Sequence, residues 1–177
     1  MRGAASRRPP HAKLFLNCLP SAINDPAFRG NELIRTLEAA GMSPKDLVLE
    51  ISERETIENY AIFRRARDYF RELGISIALD DTGSGYASMA AAMDVSPDII
   101  KIDMTLVRAI DTDAARQALV RALVQLAMTM GADVVAEGIE QESELETLKA
   151  IGVTLGQGYL FGRAAPFDGV PHPAELD

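Results

Sequence analysis

The chain has 177 residues, of which 47% are hydrophobic, enough for one domain with a substantial core and too apolar for a disordered segment. Its 18 basic residues stand against 26 acidic ones, a net charge of −8 with no acidic tail, which excludes a surface that coats DNA or another polyanion. The single cysteine, Cys18, forms no internal disulfide and fits a reducing, cytoplasmic setting.

Residues 1–12 read as a flexible lead-in, residues 13–166 as the folded unit and residues 167–177 as a tail. Arg2, Arg7 and Arg8 precede only a short apolar stretch that Asn17 and Pro20 interrupt, so no secretory signal is expected. The longest apolar run, 118–136, is broken by Arg121, Gln125 and Asp133, and no membrane span is expected. Both histidines, His11 and His172, fall in the terminal segments, which argues against histidine catalysis or ligation.

Short apolar runs at 14–16, 47–51, 75–79, 98–102, 133–136 and 152–155 predict buried strands. Between them lie helical patterns. Residues 59–73 place Ile62, Phe63, Ala66, Phe70 and Leu73 on one stripe ahead of Gly74, and residues 111–130 do the same with Leu119, Leu123, Leu126 and Met130 ahead of Gly131. Residues 142–150 form a shorter third case. Strand and helix in alternation imply parallel strands joined by right-handed crossovers, hence an α/β barrel or a doubly wound sheet.

A polar residue stands at or just after the end of each run: Asn17, Glu50, Asp80 with Asp81, Lys101 with Asp103, Glu137 and Gln157. In parallel α/β folds the C-terminal strand ends face one side, so these groups are expected to gather in one cup. Turn chemistry explains a strand-end Asn or Asp, but two Glu, a Lys and a Gln are not turn residues. The carboxylates and the asparagine are hard oxygen donors suited to Mg²⁺ or Mn²⁺ rather than Zn²⁺, and the adjacent Asp80 and Asp81 suit a two-metal site. Lys101 is placed either to neutralise phosphate or hydrogen-bond a water, or simply to pair with Asp103.

The strings Leu49-Glu50-Ile51-Ser52-Glu53, Ala78-Leu79-Asp80-Asp81-Thr82-Gly83-Ser84-Gly85-Tyr86, Ile100-Lys101-Ile102-Asp103, Ala136-Glu137-Gly138-Ile139-Glu140 and Gln157-Gly158-Tyr159-Leu160-Phe161-Gly162 resemble, in order and spacing, the EAL family of cyclic di-GMP phosphodiesterases. The resemblance implies a TIM-type (β/α) barrel that opens cyclic di-GMP to linear pGpG with Mg²⁺ or Mn²⁺. By motif, Asn17, Glu50, Asp80 and Asp81 match the family's metal ligands. Lys101, Glu137 and Gln157 match the catalytic groups around the water site, and Glu53 matches the glutamate that anchors the loop after the aspartate pair. That loop is associated in the family with dimerisation, so a homodimer or association with another chain is expected.

Several positions depart from the pattern. Thr82 stands where the family usually has Phe, Ala87 where it has Ser, and Thr154 with Leu155 where it has Asp and Tyr. The Glu-Ala-Leu signature, expected well upstream of Asn17, is absent from this sequence. A barrel of about 250 residues uses about 31 per βα unit, so this length corresponds to fewer than six units. The expectation is therefore an α/β barrel of EAL type incomplete at its N-terminal side, whether a fragment, a mis-assigned start or a degenerate remnant, with impaired turnover and exposed edges that drive association. Three other readings follow from the same residues. An inert EAL-like module would bind nucleotide or a partner without chemistry. Asp81-Thr82-Gly83-Ser84 matches the string of aspartic proteases, although those are built on β-sheet. Gly83-Ser84-Gly85 resembles a phosphate loop but lacks the lysine motif that completes one.

Overall fold

The computed structural model describes residues 12–23, 25, 28, 31–52, 60–82 and 87–163. Expectations for the lead-in through residue 11, for Glu53, for the turn 83–86 and for the tail 167–177 lie outside the described residues. Six strands form one sheet: β1 (Leu14–Asn17), β2 (Leu47–Ser52), β3 (Ser76–Thr82), β4 (Ile99–Ile102), β5 (Asp133–Ala136) and β6 (Leu155–Gly156). Their spatial order is their sequence order and every neighbouring pair is parallel, so each connection steps one strand further round a half-barrel.

Among the described residues the connections carry α1 (Pro20–Ile23), α2 (Asn31–Ala39), α3 (Tyr60–Glu72), α4 (Ala87–Val95), α5 (Met104–Val107), α6 (Ala114–Met130) and α7 (Glu142–Ile151). The outward residues of β2 and β3, Leu47, Leu49, Ile51 and Ile77, pack against Leu33 and Leu37 of α2 and Phe63, Ala66 and Phe70 of α3. Those of β4 and β5, Ile100, Ile102, Val134 and Ala136, pack against Val120, Leu123, Val124 and Ala127 of α6. Each fully buried Leu, Ile or Phe contributes roughly 1.5–3 kcal/mol, so these two clusters hold the helices on the outer face.

The expected strands are found, with shifted ends. The last one begins at Leu155 rather than at 152, because Gly152 (φ 103) closes α7 by donating its N–H to Leu148 and Lys149 carbonyls. The helix expected from 111 starts at Ala114, because the Asp113 side chain accepts from Ala115 and Arg116 N–H groups as its cap. Its buried stripe is Val120, Leu123, Val124 and Ala127: Leu123 is buried as expected, while Leu119 and Leu126 flank the stripe, partly buried against the same cluster, and Met130 is only half-buried. On α3, Ile62 is exposed and Arg67 is buried in its stead, with Nη1 donating to Val95 O at 2.7 Å. The neighbouring Arg71 donates Nε to Asp98 Oδ1 at 2.7 Å, so both arginines tie α3 to the α4–β4 turn. The helices α1, α4 and α5 were not legible, since α1 and α5 are single turns and the Ala-rich α4 has no apolar stripe; α2 was missed although Leu33 and Leu37, four apart, mark its buried face.

Candidate functional site

Strand alternation decides what faces inward. Parallel registry aligns Phe15 with Val48, Ala78 with Ile99 and Val135 with Leu155, so these residues share the inner face. Two residues further along each chain, on the same face, stand Asn17, Glu50, Asp80, Lys101, Glu137 and Gln157. Val48, Ala78, Ile99 and Val135 form a small buried cluster of their own, a dry floor under the four central polar groups. The expected cup is therefore present, and its walls are the C-terminal strand ends.

Lys101 is the hub. It is 4% exposed, and its Nζ contacts Glu50 Oε1, Asp80 Oδ1 at 3.1 Å and Glu137 Oε1 at 2.7 Å. The alternative pairing with Asp103 is overturned: the Asp103 carboxylate accepts from Thr105 N at 2.7 Å and caps α5. Glu50 is 8% exposed on the central strand β2, which leaves Lys101 as a near counter-charge. Burial pulls the Lys101 ammonium down, but the hydrogen bonds to Glu137 and Glu50 and the charges of Glu137 and Asp80 outweigh it and hold its pKa above the usual lysine value. Burial pushes the Glu137 carboxyl up; Lys101 pulls it back, and Asp80 and Glu50 push it further up.

Adjacent strand residues face opposite ways, yet Asp80 and Asp81 both belong to the site. A register irregularity between Leu79 and Thr82 and a left-handed Asp81 (φ 59) re-aim the second aspartate. Its Oδ2 accepts from Ser52 Oγ at 3.0 Å, and its N–H donates to Asp80 Oδ1 at 2.9 Å. A positive φ on a residue with a Cβ costs on the order of 1 kcal/mol, a strain that recurs at functional sites. Ser52 was missed by the sequence reading; a serine two positions after Glu50 shares its face, which was the available signal. Thr82, where the family has Phe, is buried and donates its hydroxyl to Leu79 O at 3.3 Å.

The edges complete the site less tightly. Asn17 is in register with Glu50 but exposed on β1. Gln157 donates Nε2 to Glu137 Oε1 at 2.5 Å. Two glycines make that approach possible: a Cβ on Gly158 would sit 2.2 Å from Ile139 O, and one on Gly138 (φ 68) would sit 2.6 Å from Met104 Cβ. The two turns thereby pack backbone on backbone, with Ile139 N–H donating to Gln157 O at 3.1 Å and Leu160 N–H to Ile139 O at 3.0 Å. Gln157 also lines an open cavity of about 560 Å³ together with Met104, Arg108, Gly138, Glu140, Tyr159 and others. Arg108 and Glu140 pair across it at 3.3 Å.

The site's donors suit a hard cation. Among the described residues three carboxylates share one ammonium, so the contacts within the cup carry more negative charge than positive. A divalent ion with oxygen ligands matches both that excess and those atoms. Among the described residues no three acidic, histidine or cysteine side chains already converge as a metal cage; Lys101 Nζ holds the central position instead.

The EAL domain family matches residues 1–164. The probable cyclic di-GMP phosphodiesterase PdeA of Escherichia coli is 32% identical over 154 residues, covering 87% of this chain and 21% of PdeA. The blue light- and temperature-regulated antirepressor BluF of Escherichia coli is 28% identical over 158 residues, 89% of this chain and 39% of BluF. Klebsiella pneumoniae BlrP1, solved as a manganese and cyclic di-GMP complex, has a TM-score of 0.78 at 36% identity, over 85% of this chain and 38% of that one. A standalone EAL protein from Vibrio cholerae O395 in its cyclic di-GMP-bound form has a TM-score of 0.78 at 31% identity, over 88% of this chain and 65% of that one. This chain thus spans about a fifth of the length of curated relatives such as PdeA.

Proposed function

The chain belongs to the EAL domain family, and from that premise we propose that its cup binds cyclic di-GMP with a divalent metal, Mg²⁺ or Mn²⁺, and is built for metal-dependent hydrolysis of one phosphodiester to give pGpG. The observation that carries the reading is Lys101 among Glu50, Asp80 and Glu137 at the strand ends of a parallel half-barrel. Asn17, Glu50, Asp80 and Asp81 would hold the metal, with Glu53 steadying the loop beyond them. When bound, the metal would supply charge to stabilise the phosphoryl oxygens.

The chain's own residues do the rest. Lys101, held charged by its neighbours, offers a fixed cation to the phosphate. Glu137, with its carboxyl pushed up by burial, is the group suited to take the proton of the attacking water, and Gln157 orients the same oxygen that faces Lys101. The cavity beside Gln157, with its Arg108–Glu140 pair and the Tyr159 ring, offers room and polar groups for part of the dinucleotide.

Exposure of Asn17, and of Phe15 and Leu155 on the inner face, supports slow turnover by this chain on its own and association with a second chain or segment along those edges. The same openness favours a second reading, a module that binds the nucleotide without turning it over. The deciding experiment titrates cyclic di-GMP into the chain with Mn²⁺ and follows pGpG by chromatography. Metal-dependent binding with slow pGpG formation supports the first reading, binding without product supports the second, and absence of binding at millimolar nucleotide overturns both.

A further inference from the structure

We propose that Glu144, in the first turn of α7, is a positioning residue that sets the loop after β4 against the loop after β5 and so keeps Glu137 against Lys101. Its side chain is buried, 4% exposed. Oε2 accepts from the backbone N–H of Glu140 and of Gln141, at 3.0 Å each, which is the ordinary work of a glutamate near a helix start. Oε1 does something different: it accepts at 3.0 Å from the N–H of Ala109, 35 residues earlier in the chain.

The two loops so joined leave adjacent strands. β4 carries Lys101, and its following segment runs through α5 to Ala109, whose φ of 55 lies in the left-handed region that a residue with a Cβ avoids. The Glu144 carboxyl gives that strained turn its acceptor. The loop after β5 carries Glu137 and is also tied by Glu137 N–H to Ile102 O at 3.1 Å, by Ile139 N–H to Gln157 O and Leu160 N–H to Ile139 O, and by an exposed Glu140 pair with Arg108 at 3.3 Å, which, unlike the buried Glu144 carboxyl, is open to solvent screening. One carboxyl thus links a strand that bears the ammonium to the loop that bears its partner. Placement matters here because a shift of about 1 Å in a reacting group can cost about 100-fold in rate. A cap that served only α7 would need the bonds to Glu140 and Gln141 and no third one.

Glu144→Asp separates the roles, since a carboxyl one methylene shorter still caps α7 but no longer reaches Ala109; Glu144→Gln is the second variant, and Leu37→Ala, in the other core cluster, is the control for general loss of stability. Amide hydrogen exchange on the full chain reads the result. Expected for Glu144→Asp is exchange at least tenfold faster at Ala109 and also at Glu137 and Ile139, with the β2 and β3 amides unchanged, whereas Leu37→Ala speeds core amides without singling out these loops. Unchanged exchange at Glu137 and Ile139 in both Glu144 variants overturns the inference and leaves Glu144 a helix cap.

A calorimetric arm with cyclic di-GMP and Mn²⁺ rests on the proposed function: Glu144→Asp is expected to weaken binding at least fivefold and Leu37→Ala to leave it unchanged where both are folded. Equal weakening by both variants counts against positioning. If the unaltered chain binds no cyclic di-GMP, the nucleotide reading falls, and the exchange pattern alone decides the role of Glu144.

Discussion

The four central strands and the two edge strands use the same inner-face pattern, an apolar residue followed two positions later by a polar one, with opposite results. In the centre, Val48, Ala78, Ile99 and Val135 are buried and the polar groups above them interlock through Lys101. At the edges, Phe15 and Leu155 are 39% and 46% exposed, Asn17 is exposed, and only Gln157 reaches inward, to Glu137. Identical patterning therefore does not make identical environments; a neighbour on both sides does. A central strand end becomes a dry, charged site, whereas an edge strand end remains wet.

The largest test of that difference is Lys101→Met. It removes the only cation contacting Glu50, Asp80 and Glu137 among the described residues, and breaking a buried ion cluster from one side costs about 3 kcal/mol, read by urea unfolding at neutral pH. The pH dependence has a definite sign. Glu137 already has a raised carboxyl, so the folded state favours its protonated form; that contribution is present below the unfolded value and is lost as pH rises through the folded one. The deficit of Lys101→Met should accordingly shrink toward acid pH, where the carboxyls take up protons. A deficit independent of pH would mean that Lys101 acts through packing alone.

Next in size is the floor. Ile99→Ala, at a buried central position, should cost about 3 kcal/mol, while Leu155→Ala, on the same face at the edge, should cost under about 1 kcal/mol by the same urea titration. Equal costs would show that β6 is packed as β4 is.

In metal binding, Asp80→Asn should weaken Mn²⁺ affinity by about tenfold or more, roughly the 1.4 kcal/mol of one lost charged ligand, whereas Asp133→Asn should not, because Asp133 is exposed at the opposite, N-terminal end of β5. Titration calorimetry at low salt makes the comparison, and indistinguishable affinities would remove Asp80 from the site. At the edge itself, Phe15→Lys should lower self-association at micromolar concentration in light scattering, since a charge on an exposed strand opposes pairing.

A chemical probe sharpens the boundary between the regions. Cys18 follows Asn17 on β1, yet burial pushes its thiol up to about 11. Relative to the ordinary value of 9.0, that leaves about 100-fold less thiolate at pH 8, so alkylation by iodoacetamide should be slower by about that factor than in the unfolded chain. Rapid modification would place Cys18 outside the packed part of the edge.

Much of this was legible in the residues themselves. Strand and helix alternate along the chain, and a polar residue at or just after each apolar run marked Asn17, Glu50, Asp80, Lys101, Glu137 and Gln157 as one set, the two Glu, the Lys and the Gln being residues that turn chemistry does not explain. Local pattern does not say which charge pairs with which. Lys101 and Asp103 stand two apart, but β4 ends at Ile102, so Lys101 points into the cup while Asp103 leaves the strand to cap α5, and only the assembled sheet brings Glu50, Asp80 and Glu137 to the ammonium. Asp81 was expected in the site, but its route there needed the irregularity and positive φ that the β3–β4 pairing imposes. Glu144 was invisible for a related reason, because its distinguishing bond spans 35 residues and exists only where two strands lie side by side. Composition and periodicity act within a turn or a strand, and contacts between strands are decided by registry, which belongs to the folded sheet.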